Sequence, residues 1–124
     1  MNMIDSSCWL EFFAGTEQGK QFSTLLRKNE ELIVPTITIY EVFKRVSTQT
    51  NEEEALKAIA LMTTGKVVDL TQELAINAVL LSQSKHLPMA DAMILATAQA
   101  YDATLWTLDE HFKGIDDVKW FKKA

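Results

Sequence analysis

Leu32-Ile33-Val34-Pro35-Thr36-Ile37-Thr38-Ile39-Tyr40-Glu41-Val42-Phe43-Lys44-Arg45-Val46 changes its hydrophobic period in mid-course. Leu32-Ile33-Val34 is a short unbroken apolar run ended by Pro35, the pattern of a strand buried on both faces. From Ile39 the apolar residues recur at i, i+3, i+4 and i+7, as Ile39, Val42, Phe43 and Val46, which is the stripe of an amphipathic helix. A buried strand that runs directly into a helix is the repeating unit of a parallel sheet.

The same unit recurs on both sides of this stretch. Met3-Ile4 reads as a very short strand, followed by Ser6-Ser7 and a helix carrying Trp9, Leu10, Phe12 and Phe13 that stops at Gly15. A second helix fits Glu17 to Lys28, with Phe22, Leu25 and Leu26 inward. Asn51 before Glu52-Glu53-Glu54 is an N-cap with an acidic first turn, so these glutamates need no catalytic role, and Leu56, Ile59, Ala60 and Met62 supply a buried stripe up to Gly65. Val67-Val68 with Leu70 is a third strand, and Thr71 opens a helix through Leu74, Ala75, Ala78 and Leu81 that ends near Pro88. From Met89 to Tyr101 the chain is apolar nearly all round, the mark of a buried helix. Thr104–Thr107 is then a strand, Asp109–Phe112 a turn or short helix, and Val118–Phe121 a last strand. The alternation predicts an α/β sandwich with a mostly parallel central sheet.

With 124 residues and no repeat, low-complexity segment or Pro/Gly-rich linker, the chain is expected to form a single domain over residues 1–124. It is 48% hydrophobic and 23% charged, no stretch approaches the roughly 20 apolar residues of a membrane helix, and the start lacks the pattern of a secretory signal. A cytoplasmic location with no membrane contact is the expectation. The one cysteine, Cys8, stands in an apolar helix face and reads as a small buried hydrophobe. A net charge of −5 excludes a protein that coats nucleic acid through bulk positive charge. Any such contact must be local, at Lys44 and Arg45 or in the tail Lys113, Lys119, Lys122 and Lys123.

Four acids, Asp5, Glu41, Asp91 and Asp109, lie where an apolar run gives way to a helix start. In an open α/β sheet such junctions gather along the carboxyl edge of the strands, so acids far apart in sequence can meet in one crevice. Three have a purely local alternative. Asp5 can cap the helix near Ser7, Thr38 and Glu41 stand in capping-box register, and so do Thr107 and Glu110, with Asp109 as a first-turn acid. Asp91 is harder to place locally, because it belongs to a helix with no Lys or Arg between Met89 and Tyr101 and buried carboxylates need compensation. Clustered carboxylates repel unless a divalent cation offsets them, and an all-oxygen set suits Mg²⁺ or Mn²⁺ rather than Zn²⁺. A cation so held can activate water against a phosphodiester.

Asp5-Ser6-Ser7, Thr38-Ile39-Tyr40-Glu41-Val42, Leu87-Pro88-Met89-Ala90-Asp91-Ala92-Met93-Ile94 and Thr107-Leu108-Asp109-Glu110-His111-Phe112 together resemble the PIN-domain family, and most nearly its VapC-type toxins. The resemblance spans essentially the whole chain and implies a PIN-like three-layer α/β/α sandwich and an Mg²⁺- or Mn²⁺-dependent endoribonuclease acting on structured RNA, tRNA or rRNA. It matches Asp5, Glu41 and Asp91 to the family's three principal acids and Asp109 to the fourth, with Asp5, Asp91 and Asp109 as metal ligands. Ser7 and Thr107 match hydroxyl residues that orient the carboxylates. His111 departs from the pattern, standing where many relatives carry a further acid, and reads as a surface residue or an RNA contact. The resemblance also implies a small cognate antitoxin and a homodimer. An arginine of the antitoxin fits the negative crevice, and an amphipathic helix fits apolar surface around Trp9, Phe12 and Phe13. Two other functions remain open from sequence: a PIN-type nuclease of RNA processing or of DNA, and a non-catalytic interaction module whose acids are all helix caps.

Overall fold

The computed structural model of the chain describes residues 1–27 and 32–124. Five strands, β1 (Asn2–Ile4), β2 (Leu32–Pro35), β3 (Lys66–Val68), β4 (Thr104–Thr107) and β5 (Val118–Trp120), form one sheet in the order β3-β2-β1-β4-β5. Every neighbouring pair is parallel, so the sheet is wholly rather than mostly parallel. Met3 stands opposite Ile33 on one side and Leu105 on the other. The helices are α1 (Ser6–Phe13), α2 (Glu17–Lys20), α3 (Ser23–Arg27), α4 (Thr36–Gln49), α5 (Glu52–Met62), α6 (Gln72–Lys85) and α7 (Met89–Ala100), with a 3-10 turn at Glu110–Phe112.

Two apolar cores sandwich the sheet. On one face Met3, Ile33 and Leu105 meet Leu74 and Ala78 of α6 and Ala92, Ile94 and Leu95 of α7. On the other Ile4, Leu32 and Val34 meet Cys8 and Trp9 of α1, Val42 of α4 and Ala58 and Met62 of α5. The result is an α/β/α three-layer fold. Strands buried on both faces explain why β1 and β2 are continuous apolar runs without alternation. Each of α5 and α6 begins at its expected cap: the side chain of Asn51 accepts from the amide of Glu54 at 2.8 Å, and that of Thr71 from Leu74 at 3.2 Å.

Three local expectations are corrected. Glu17–Arg27 forms two short helices instead of one, because tertiary anchors override helical continuity; the expected end at Lys28 lies outside the described residues. Gly19 packs so closely on the end of α1 that a Cβ would collide with the carbonyl of Glu11, and Gln18 holds the Lys122 carbonyl at 2.8 Å. In α5 the buried stripe is Ala55, Ala58 and Met62, and Leu56 and Ala60 face water. The small alanines let α5 press onto α4, and the larger Leu56 is displaced to the outside. Val67 and Leu70 are about two-fifths exposed, as befits β3, an edge strand.

The chain leaves β1 for β2 on one side of the sheet and later enters β4 on the other. The carboxyl ends of β1 and β4 therefore flank a topological switch point, where neighbouring loops diverge and leave a crevice.

Candidate functional site

Asp5 follows β1 immediately and holds the N-cap position of α1, yet its side chain makes no capping hydrogen bond. It points instead into the crevice between β1 and β4. Its amide donates to the Trp106 carbonyl at 2.9 Å, which ties it to β4. Oδ2 accepts from the hydroxyls of Ser7 and Thr107, each at 2.8 Å. Oδ1 is buried without a hydrogen-bond partner, and the residue is 2% exposed. The two hydroxyls reach further: Ser7 Oγ accepts from the Leu108 amide at 3.1 Å and Thr107 Oγ1 from the Asp109 amide at 3.0 Å.

Glu41 lies on the second turn of α4. No capping box forms there, because α4 starts directly after Pro35 and the Thr38 hydroxyl donates to the Pro35 carbonyl at 2.7 Å. The Ser6 hydroxyl is the group nearby that lowers the Glu41 carboxyl, and Glu41 Oε1 is buried without a hydrogen-bond partner. Asp91 sits in the first turn of α7 with its side chain 13% exposed. Asp109 caps the 3-10 turn, Oδ1 accepting from the His111 amide at 2.9 Å, so the local role is real here but occupies one oxygen. The ring of His111 closes the cluster, with Nδ1 2.8 Å from Asp91 Oδ2 and 3.0 Å from Asp109 Oδ1.

All four acids thus share one electrostatic site. Burial is the main cause that raises the Asp5 carboxyl above its ordinary range, against the lowering effect of Ser7 and Thr107, and the charge of Asp109 adds to the rise. Burial also raises Glu41, opposed by Ser6 and reinforced by Asp5, Asp91 and Asp109. Asp91 is pushed up to about 6 by burial and then by Asp109 and Asp5, with His111 acting the other way. His111 is raised in turn, first by the charge of Asp109 and then by its bond to Asp91. Orphaned buried carboxylate oxygens beside mutually repelling charges are what a hard divalent cation relieves, so the donor set fits Mg²⁺ or Mn²⁺. Asp91, Asp109 and His111 offer ligand atoms within 4.8 Å of one another. Cys8 is fully buried and its thiol is driven strongly upward by burial and by Asp5, which makes it a core residue and no nucleophile.

Lys44 and Arg45 are exposed beside Glu41, in a cleft they share with Ser6 and Tyr40. A second cleft, bounded by Ser7, Asp109, Arg45 and Lys123, adjoins the cluster from the other side. Arg45 borders both. Lys113 and Lys119 instead lie over the rings of Trp120 and Trp106, 4.9 and 4.4 Å from their centroids. Two residues of this site are not assigned to it by sequence: Ser6 enters only as part of the first motif, and His111, though it stands where many relatives carry a further acid, reads as a surface residue or an RNA contact. Trp9 is 1% exposed and so cannot meet a partner. The apolar surface near it is a groove between α1, α4 and α5 lined by Leu10, Phe13, Val46 and Leu61.

The family model of the PIN domain matches residues 3–118. No curated protein sequence matches the chain. Among solved structures, a toxin-antitoxin complex from Klebsiella pneumoniae is similar over 96% of this chain and 96% of that one, with 28% identity and a TM-score of 0.81. VapBC2 from Rickettsia felis, bound to a DNA fragment from its promoter, matches 97% of this chain and 98% of that one at 18% identity and a TM-score of 0.77. The sarcin-ricin-loop-cleaving toxin VapC20 of Mycobacterium tuberculosis matches 94% and 95% at 17% identity and a TM-score of 0.76.

Proposed function

The chain belongs to the PIN domain family, and from that premise we propose that it is a divalent-metal-dependent endoribonuclease, the toxin of a VapBC-type toxin-antitoxin pair, cutting structured RNA such as tRNA or rRNA. The observation that carries this reading is Asp5. A carboxylate 2% exposed, with one oxygen held by two hydroxyls and the other orphaned, faces three further acids in a crevice at the switch point of the sheet. A set of helix caps, as an interaction module would have, does not need that arrangement, and neither Asp5 nor Glu41 caps its helix.

Asp5, Asp91 and Asp109 would hold the cation, and Glu41, coupled to the same charges, would complete the acidic set. The cation, Mg²⁺ or Mn²⁺, supplies Lewis acidity to a phosphodiester and a water of lowered pKa. Ser7 and Thr107 fix the orientation of Asp5, and Thr107 also fixes the Asp109 backbone, so the acids keep their spacing while substrate enters. Lys44 and Arg45 hold backbone phosphates in the cleft beside Glu41 and offset the repulsion between RNA and the acids.

The partner of this reading is a small antitoxin, as in the Klebsiella and Rickettsia complexes. An arginine fork fits the acids, and an amphipathic helix fits the groove of Leu10, Phe13, Val46 and Leu61. Pairing with a second copy is supported by an apolar stripe on the outer face of α6, Ile76, Val79 and Leu80, continued by Met89. The deciding experiment incubates the purified chain with total tRNA and ribosomal RNA, with Mn²⁺ or with chelator. Discrete products that need metal and vanish in Asp91→Asn are expected. Cleavage that survives both chelator and Asp91→Asn, or none under any condition, overturns the reading.

A further inference from the structure

Among the described residues, His111 is the one nitrogen ligand grouped with the site's acids. Its ring is held from two sides, by Asp91 of α7 and by Asp109 of the turn it belongs to, at 2.8 and 3.0 Å. The Asp109 carboxylate also accepts the backbone amide of His111, so the imidazole is fixed at its root and at Nδ1 together. An exposed histidine with only a solvent role has no reason to be locked in this way, because ordering a side chain costs conformational entropy. The buried Asp5 Oδ1 has no partner. Asp91, Asp109 and His111 offer ligand atoms within 4.8 Å of one another, and with the orphaned Asp5 oxygen in the same electrostatic cluster these are the donors of a mixed oxygen and nitrogen metal site.

We propose that His111 is itself a metal ligand through Nδ1, and that the site therefore selects first-row transition ions such as Mn²⁺ and Co²⁺ over Mg²⁺. The inference rests on the reading of the acids as a metal site and adds a ligand and an ion preference to it. Imidazole strengthens binding along the first-row series, whereas Mg²⁺ gains little from exchanging an oxygen for a nitrogen. Ligation requires the ring proton to sit on Nε2, and the side chain is 56% exposed, so water can satisfy that nitrogen. The carboxylates that now accept from Nδ1 are then released to the ion, so the ring and the acids turn from partners of each other into partners of the cation.

The test is metal binding, independent of cleavage. Wild type, His111→Asn and His111→Asp are titrated with Mg²⁺ and Co²⁺ by calorimetry, and the Mn²⁺ forms are read by pulsed electron paramagnetic resonance for coupling to ¹⁴N. His86, the chain's second histidine, is removed in a control, His86→Asn. The expected result is nitrogen coupling in wild type and in the control, lost in both His111 variants, with Co²⁺ affinity falling at least ~10-fold and Mg²⁺ affinity changing less than ~3-fold in His111→Asn. His111→Asp should bind Mg²⁺ more tightly than wild type does. Manganese bound without nitrogen coupling, or equal losses for Co²⁺ and Mg²⁺, overturns the role of His111 and leaves the carboxylate site standing. Absence of any divalent binding overturns both.

Discussion

The Thr107 hydroxyl donates to Asp5 Oδ2 at 2.8 Å across 102 positions of sequence, and its own oxygen accepts the Asp109 amide at 3.0 Å. One side chain thereby sets the distance between two acids on different loops. A hydroxyl has one proton, so its direction is fixed: donor to Asp5, acceptor from Asp109.

Thr107→Val keeps the shape and removes both bonds. The loss leaves Asp5 with Ser7 alone and the Asp109 amide without an acceptor, a cost of about 1–3 kcal/mol. It should lower RNA cleavage by roughly 10–100-fold, while Thr107→Ser retains most of both. Equal melting temperature and activity for the valine variant would show that the hydroxyl orders nothing.

Asp91→Asn removes the repulsion between Asp91 and its neighbours Asp109, Asp5 and Glu41, and with it a partly buried charge. The metal-free variant is therefore expected to melt higher than wild type at neutral pH, while losing the rise in melting temperature that millimolar Mn²⁺ gives the wild type. Asp109→Asn should be milder in both respects, since Asp109 is less buried and one oxygen already serves the turn. A variant that melts lower than wild type and still responds to Mn²⁺ contradicts the assignment.

Metal-free stability should fall as pH rises. The folded carboxyl of Asp91 titrates at about 6 against an ordinary 3.8, so folding is unpenalised below the lower value and the penalty is complete above the higher one. Asp5 and Glu41 are shifted in the same direction. His111 is raised as well; its stabilising contribution is whole below its unfolded value and is lost as pH climbs through the folded one. The signs agree. The metal-free protein should melt at least ~5 °C lower at about pH 8 than at about pH 5, and saturating Mn²⁺ should remove most of that difference. Melting that improves with pH in the metal-free protein would rule the cluster out as the dominant titrating unit.

Much of this architecture is written in local pattern. β4 is found at Thr104–Thr107 as its sequence predicts, and Asn51 and Thr71 cap the helices they precede. Local rules work there because apolar runs and caps act over a few residues. The stripe of α5 escaped them, since Ala58 and Leu56 are distinguishable only once α4 is in place. The acids divide in the same way. That Asp5, Glu41, Asp91 and Asp109 share one cluster could be anticipated from their positions near helix starts, although Asp91 enters from a helix that follows another helix rather than a strand. The choice between capping and clustering depended on side-chain direction, and at Asp109 both hold. His111 was hidden because an exposed histidine in a turn has no periodicity to betray its contact with a residue 20 positions away.

Arg45 borders both clefts that flank the acids, whereas Lys44 borders only the one beside Glu41 and lies 5.8 Å from the centroid of the Tyr40 ring. In a chain of net charge −5 the approach of an RNA substrate, as proposed, to four carboxylates would have to be offset locally. Under the proposed function Arg45, bordering both clefts, would hold substrate phosphates, and its guanidinium can bind them bidentately as the Lys44 ammonium cannot. Arg45→Ala should raise KM for RNA by about 5–10-fold, the worth of a single phosphate contact near 1 kcal/mol, with kcat within about 2-fold of wild type. The salt dependence of binding should lose about one unit of slope. Lys44→Ala should do less, and Arg45→Lys should recover the salt slope without the full affinity. Cleavage rates at several salt concentrations measure all three, and an Arg45→Ala protein with unchanged KM and unchanged salt slope would place the RNA on another face.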